Sequence, residues 1–264
     1  MATQKKYKIG LVLSGGGAKG FAHIGVLQAL NEAGIYPDII SGTSAGAIIG
    51  ALYADGNSPK DIMQMFADLK LPNYIKIIMP KNGLLKMTGL AKIVSQNLHS
   101  KTFEELKIPL IVTATDLNNG KSEHFSKGEL YKKVMASANI PVLFQPIIIN
   151  DISYVDGGVL NNFPIGPIEK KCNFIIGVNT NPTCFQKEFQ GLISVAERSF
   201  HLSFAAQLIK DKKRCNIFIE PTALSNFRLF DIKKSKEIYN LGYKETKKVL
   251  TENKVKFAKL LINK

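Results

Sequence analysis

The apolar pattern opens with a short continuous run over residues 8–13, Lys-Ile-Gly-Leu-Val-Leu. A run of that length without polar alternation suits a strand buried on both faces of a parallel sheet. Residues 14–20 form a glycine-rich loop. Residues 21–33 then carry Ile24, Leu27, Leu30 and Ala33 at helical spacing, and Gly34 stands where a C-cap residue ends a helix. Residues 38–41 read as a second strand, and 45–54 as a second helix stopped by Asp55-Gly56. Strand, loop, helix, strand, turn, helix predicts a parallel sheet with right-handed crossovers.

Downstream, the pattern predicts strands at 109–115, 147–149, 152–155, 173–179 and 216–220. Helices are predicted at 129–138, at 190–210 and from 233 to about 253. Residues 71–89, with two prolines and two glycines, read as a loop over the sheet edge. No repeat or linker appears, so the expectation is one α/β domain over residues 1–264. A chain of 264 residues buries about three-quarters of its unfolded surface and needs no disulfide or metal staple.

Composition narrows the setting. Cys172, Cys184 and Cys215 are an odd number with no C-x-x-C spacing, against a disulfide framework or a zinc site. The apolar run 9–13 is too short for a signal-peptide core, and the longest apolar stretch, 47–54, falls well short of the ~20 residues a membrane span needs. A reduced, cytoplasmic protein is expected. The net charge of +14 favours anionic partners, yet only Arg198, Arg214 and Arg228 are arginines. Arginine is the residue suited to bidentate phosphate and base contacts, so nucleic acid is not expected. The lysines, densest at 233–259, suit solvated helix faces first and attraction to an anionic membrane second. A further interfacial face is sketched by Ile75, Ile77, Ile78, Leu84, Leu85, Met87 and Leu90, punctuated by Lys76, Lys81 and Lys86.

Three motifs carry chemistry. Gly42-Thr43-Ser44-Ala45-Gly46 matches G-x-S-x-G between an apolar strand and an apolar helix, the setting of a nucleophile elbow. A serine there sits at a helix N-terminus, where free N–H groups favour developing negative charge. Gly15-Gly16-Gly17-Ala18-Lys19-Gly20 lets backbone N–H groups converge on one oxyanion without side chains in the way. It also satisfies the dinucleotide fingerprint G-x-G-x-x-G. That reading wants an acidic residue at the end of the next strand; Asp38 begins that strand instead, and the Ser44 turn occupies its end. A P-loop is excluded because Phe21-Ala22 follows Gly20. Tyr154-Val155-Asp156-Gly157-Gly158 would in isolation be an Asp-Gly hairpin. Beside the other two motifs, Asp156 becomes the candidate base. His23, His99, His124 and His201 are poorly placed for a triad, which leaves a serine–aspartate dyad as the economical scheme.

The ordered set GGGAKG-FAHIGVL, GTSAG, ASANIPVLFQP and YVDGGVLNNFP closely resembles the patatin-like phospholipase family, particularly its small bacterial members. The resemblance spans about residues 7–180. It implies a three-layer α/β/α sandwich with a mostly parallel central sheet and calcium-independent hydrolysis of lipid carboxylic esters, without a cofactor. Carried over by position, Ser44 is the nucleophile, Asp156 the base, and Gly15, Gly16 and Gly17 the oxyanion loop. Lys19 stands where the family has a basic residue, often arginine, and is expected to anchor the loop or contact substrate. The alternative is a non-catalytic regulatory or binding protein on the same fold.

Overall fold

The computed structural model describes residues 6–67, 76–77, 85–86, 88–185 and 191–262. Strand β1 (Tyr7–Leu13) leads through a 3-10 turn into α1 (Phe21–Glu32), then β2 (Ile39–Thr43) and α2 (Ala45–Ala54). Next come α3 (Pro59–Ala67), a short pair β3 (Lys76–Ile77) and β4 (Leu85–Lys86), and α4 (Thr88–Asn97). Strands β5 (Leu110–Asp116) and β6 (Lys121–Phe125) precede α5 (Leu130–Ser137), β7 (Ile147–Ile149) and β8 (Ile152–Asp156). The single turn α6 (Gly166–Glu169), β9 (Cys172–Val178), α7 (Gly191–Lys212), β10 (Ile217–Ile219), α8 (Ser235–Glu252) and α9 (Lys254–Ile262) complete the order.

Among the described residues the main sheet has eight strands in the order β10-β9-β1-β2-β5-β8-β7, with β6 paired to β5. Strands β10, β9, β1, β2 and β5 run parallel, and β6, β8 and β7 close the far side antiparallel. Side-chain alternation explains the layers. From β1, Ile9, Leu11 and Leu13 enter the larger core with residues of α1–α5, α8 and α9. Val12 faces the smaller core on the other side, with Ile168 of α6 and, at its margin, Leu208 of α7. Helices on both faces of a mostly parallel sheet make the α/β/α sandwich that was expected.

The register of β5 matters most for chemistry. Strand β6 takes one edge of β5 over Val112–Asp116, so β2 and β8 must share the other. Strand β2 occupies that edge as far as the Thr43–Thr113 pair, and β8 begins with Asp156 opposite Ala114. The end of β2 and the end of β8 therefore abut along one neighbour. Residues 44 and 156 meet because consecutive positions of β5 hold both strands.

Differences from expectation are local. The pattern missed α3, α4, α9 and β6. Strand β6, Lys-Ser-Glu-His-Phe, is polar and mostly half-exposed, so no hydrophobic signal marks it. The predicted loop 71–89 lies partly outside the described residues; within it, β3 pairs with β4 and α4 begins. Of the proposed interfacial residues there, Ile75, Ile78, Leu84 and Met87 lie outside the described residues.

Candidate active site

Ser44 sits between β2 and α2 with φ 54° and ψ −123°, the left-handed half of backbone space that costs a non-glycine residue about 1–3 kcal/mol. Three features hold it there. A Cβ on Gly42 would lie 2.7 Å from the Gly46 carbonyl oxygen, and one on Gly46 would lie 2.4 Å from that of Leu13, so the bend closes only with glycine at both positions. The Ser44 N–H donates to Ser137 Oγ at 2.9 Å, and Ser137 Oγ donates to the Thr113 carbonyl at 2.6 Å. The Ser44 carbonyl accepts from the Ile48 N–H at 3.1 Å, as the first bond of α2. The hydroxyl is thereby aimed along the sheet edge, at the positive end of the helix dipole.

Ser44 Oγ donates to Asp156 Oδ2 at 2.5 Å. The other carboxylate oxygen, Oδ1, accepts from the Gly158 N–H at 2.7 Å. The backbone of Asp156 is fixed as well: its N–H donates to the Asn139 carbonyl at 2.9 Å, and its carbonyl accepts from Thr115 Oγ1 at 3.0 Å. Asp156 is only 3% exposed. Burial pushes its carboxyl up to about 6, against the smaller opposing effect of the hydrogen bonds from Ser44 and Gly158. A carboxylate poised near 6 is a far better proton acceptor than one at the ordinary value of 3.8.

The glycine loop lies against this pair. The Gly15 carbonyl is gripped by three donors: Ser14 Oγ at 2.9 Å, Thr180 Oγ1 at 3.0 Å and Asn181 Nδ2 at 2.5 Å. All three side chains are buried. Because the Gly15–Gly16 peptide is trans, fixing its C=O also fixes the Gly16 N–H in the opposite direction. The Gly15 N–H is committed to the Asn162 carbonyl at 3.1 Å and that of Ala18 to the Leu229 carbonyl at 2.8 Å. The N–H groups of Gly16 and Gly17 have no acceptor among the described residues. His23 supports the loop from below, its Nε2 donating to the Ser14 carbonyl at 2.8 Å. Burial lowers that imidazole to about 4, so it is neutral and structural near pH 7.

An apolar pocket opens over Ser44. Phe21, Ile48, Phe66, Ile140, Phe144 and Leu229 are among its walls, and Leu90 contributes from α4. Among the described residues that line it, Ser44 alone bears a hydroxyl. Lys19, expected to anchor the loop or touch substrate, is 4% exposed and does not line the pocket, so its position fits the first of those roles. No hydrogen bond joins His23, His99 or His124 to either member of the dyad.

The structure thus gathers Ser44, Asp156 and the glycine loop, together with Ser137 and Asn139 of the segment 136–146 that carries the resemblance, and adds Thr180 and Asn181, which no motif marked. Ser137 and Asn139 hold the backbones of Ser44 and Asp156 from the end of α5. Thr180 and Asn181 reach the loop from the end of β9. Such residues are found by which strand ends share an edge, not by local pattern.

Residues 11–168 match the family described as patatin-like phospholipase. An uncharacterized NTE family protein of Mycobacterium tuberculosis is 34% identical over 164 residues, covering 61% of this chain and 45% of that protein. The lysophospholipase NTE1 of Candida albicans is 25% identical, covering 89% of this chain and 19% of its own length. The chain therefore spans less than half the length of these relatives. VipD of Legionella pneumophila has a similar fold, with a TM-score of 0.55 and 18% identity, covering 94% of this chain and 67% of VipD. With the family match extending over more than half of the sequence, the chain belongs to the patatin-like phospholipase family.

Proposed function

We propose that the protein is a serine acyl hydrolase that cleaves lipid carboxylic esters through Ser44 and Asp156. The observation that carries this reading is the 2.5 Å hydrogen bond from the Ser44 hydroxyl to a buried carboxylate. As Oγ attacks the ester carbonyl, its proton passes to Asp156 Oδ2. The carbonyl oxygen becomes an oxyanion, which the N–H groups of Gly16 and Gly17 receive; Gly15 shapes the loop and is not a donor. Collapse breaks the ester bond, and the departing alkoxide takes the proton from Asp156. Water then gives a proton to Asp156 and attacks the acyl-serine; as the Oγ–acyl bond breaks, Asp156 returns the proton to Ser44 Oγ, the fatty acid leaves and the dyad is restored. No step calls for a metal or cofactor.

The apolar lining supports an acyl chain as the portion of substrate bound beside Ser44. The name of the Candida relative supports a phospholipid or lysophospholipid as the class. The test is hydrolysis of a chain-length-graded series of carboxylic esters and phospholipids, with Ser44→Ala as the blank. Turnover that rises with acyl length and vanishes in the mutant is expected. Equal turnover by Ser44→Ala would falsify the assignment, and a folded protein inert on every ester would favour a non-catalytic binding role.

A further inference from the structure

We infer that the rim of the acyl pocket docks on an anionic lipid surface, with Val142 as the inserted residue and Arg228 and Lys233 as headgroup contacts. The inference deepens the hydrolase reading and rests on it for the identity of the pocket.

Residues 139–145 form a closed loop. Asn139 Nδ2 donates to the Gln145 carbonyl at 2.6 Å and pins the neck, and the Phe144 N–H donates to the Ile140 carbonyl at 3.0 Å inside it. The flanks of the loop, Ile140 and Phe144, line the acyl pocket. Its apex, Val142, does not; it stands 79% exposed with φ 71°. A β-branched apolar residue in left-handed backbone is unfavourable in two ways, through strain and through apolar surface left in water. Packing against this chain's own core does not account for it. Insertion into a lipid layer removes the second cost at the place where an acyl chain has to leave that layer.

Another stretch of the lining supplies the charge. Leu229, Phe230 and Ile232 line the pocket, and exposed Arg228 and Lys233 flank them in sequence. The neighbouring acid, Asp231, is engaged by the Arg228 N–H at 3.0 Å and by Lys234 at 3.5 Å, and among the described residues the guanidinium of Arg228 and the ammonium of Lys233 have no acidic partner. An apolar apex and basic residues, each adjoining the lining of one acyl-chain pocket, match a bilayer containing acidic phospholipid, where each basic group near the surface adds to the attraction. Leu160, after β8, and Phe185, after β9, are also exposed.

The chain contains no tryptophan, so Val142→Trp is a single fluorescent reporter. In a Ser44→Ala background, which removes turnover, its emission should shift to the blue on mixing with phosphatidylglycerol–phosphatidylcholine vesicles. A reporter at exposed Tyr36, before β2 at the other end of the sheet, should not shift (Tyr36→Trp). Arg228→Glu with Lys233→Glu should weaken vesicle binding by about tenfold or more, and added salt should do the same. In the active protein, Val142→Asp should lose about tenfold on vesicle substrate while a dissolved short-chain ester is cleaved at the parent rate. No blue shift at residue 142, or equal loss on dissolved and vesicle substrates, overturns the inference. Binding to pure phosphatidylcholine as tight as to the acidic mixture overturns its charged half. A parent protein that cleaves neither substrate, beside a Val142→Trp reporter that still shifts, would sink the hydrolase reading and leave the docking intact.

Discussion

Two buried aspartates each accept a serine hydroxyl at 2.5 Å, yet they are built for opposite ends. Asp156 is bonded by Ser44 and receives one further hydrogen bond to its carboxylate, from the Gly158 N–H. Asp55, after α2, is bonded by Ser100 Oγ and also by the N–H groups of His99 and Ser100 and the His99 ring. Burial raises both carboxyls. At Asp156 it prevails, and the group rests at about 6; at Asp55 the hydrogen bonds from Ser100 and His99 prevail and hold it below the ordinary carboxylate range. Asp55 has the serine, the histidine and the acid of a triad by composition. Its histidine bonds the acid and not the serine, and its serine points at the acid and not at a pocket over an oxyanion loop. A well-satisfied carboxylate is a poor base; an undersatisfied one, kept dry, is a reactive group.

The largest effect should come from Asp156→Asn, with kcat down by about 10³-fold or more on any ester the parent cleaves. The same change should not destabilise the protein. A carboxyl whose folded pKa is raised contributes stability that is complete below the ordinary 3.8 and lost as pH rises through about 6. Above that window the charge costs the fold roughly 3 kcal/mol at most, and a neutral amide can still accept from Gly158 and donate to Ser44 Oγ. Thermal melts at pH 7.5 should show Asp156→Asn at least as stable as the parent; a clear fall in Tm would contradict the contrast with Asp55.

An intermediate effect is expected at the loop clamp. Asn181→Ala removes one of three donors to the Gly15 carbonyl and loosens the orientation of the Gly16 N–H. A loss of about tenfold in kcat with KM nearly unchanged is expected, since the contact acts on the oxyanion and not on the acyl chain. A rise in KM alone would assign Asn181 to substrate binding. The smallest effect on turnover, within about twofold, should come from Asp55→Asn, which instead costs about 1–3 kcal/mol of stability by removing a charged acceptor from four donors. The signs differ from those at Asp156: a depressed carboxyl contributes stability above its ordinary pKa and loses it as pH falls, so parent and Asp55→Asn melts should converge on acidification.

The contrast also explains what could be read in advance. The apolar runs of β1, β2, β5 and β9 are continuous because these strands are covered on both faces, and pattern finds such strands well. Helix α2 was bounded at both ends, by the Ser44 turn and by Asp55-Gly56. Ser44, Asp156 and the glycines were legible because sharp turns and close backbone approach restrict which residues fit. Strand β6 was not, because exposed Lys121 and half-exposed Ser122 and Glu123 carry no burial signal. Ser137 and Asn139 lie in the segment 136–146 that carries the resemblance, but their partners, like those of Thr180 and Asn181, were not legible, for another reason. Their roles depend on the sharing of one edge of β5 by β2 and β8, and of β1 by its parallel neighbours, which is long-range information.

The most direct measurement is the rate at which a fluorophosphonate phosphonylates the folded protein, followed by intact mass and peptide mapping between pH 4.5 and 8.5. A single adduct on Ser44 is expected, forming faster as pH rises with a midpoint near 6, and forming very slowly at every pH in Asp156→Asn. Labelling of Asp156→Asn as fast as the parent, or modification at a residue other than Ser44, would contradict a serine driven by that carboxylate.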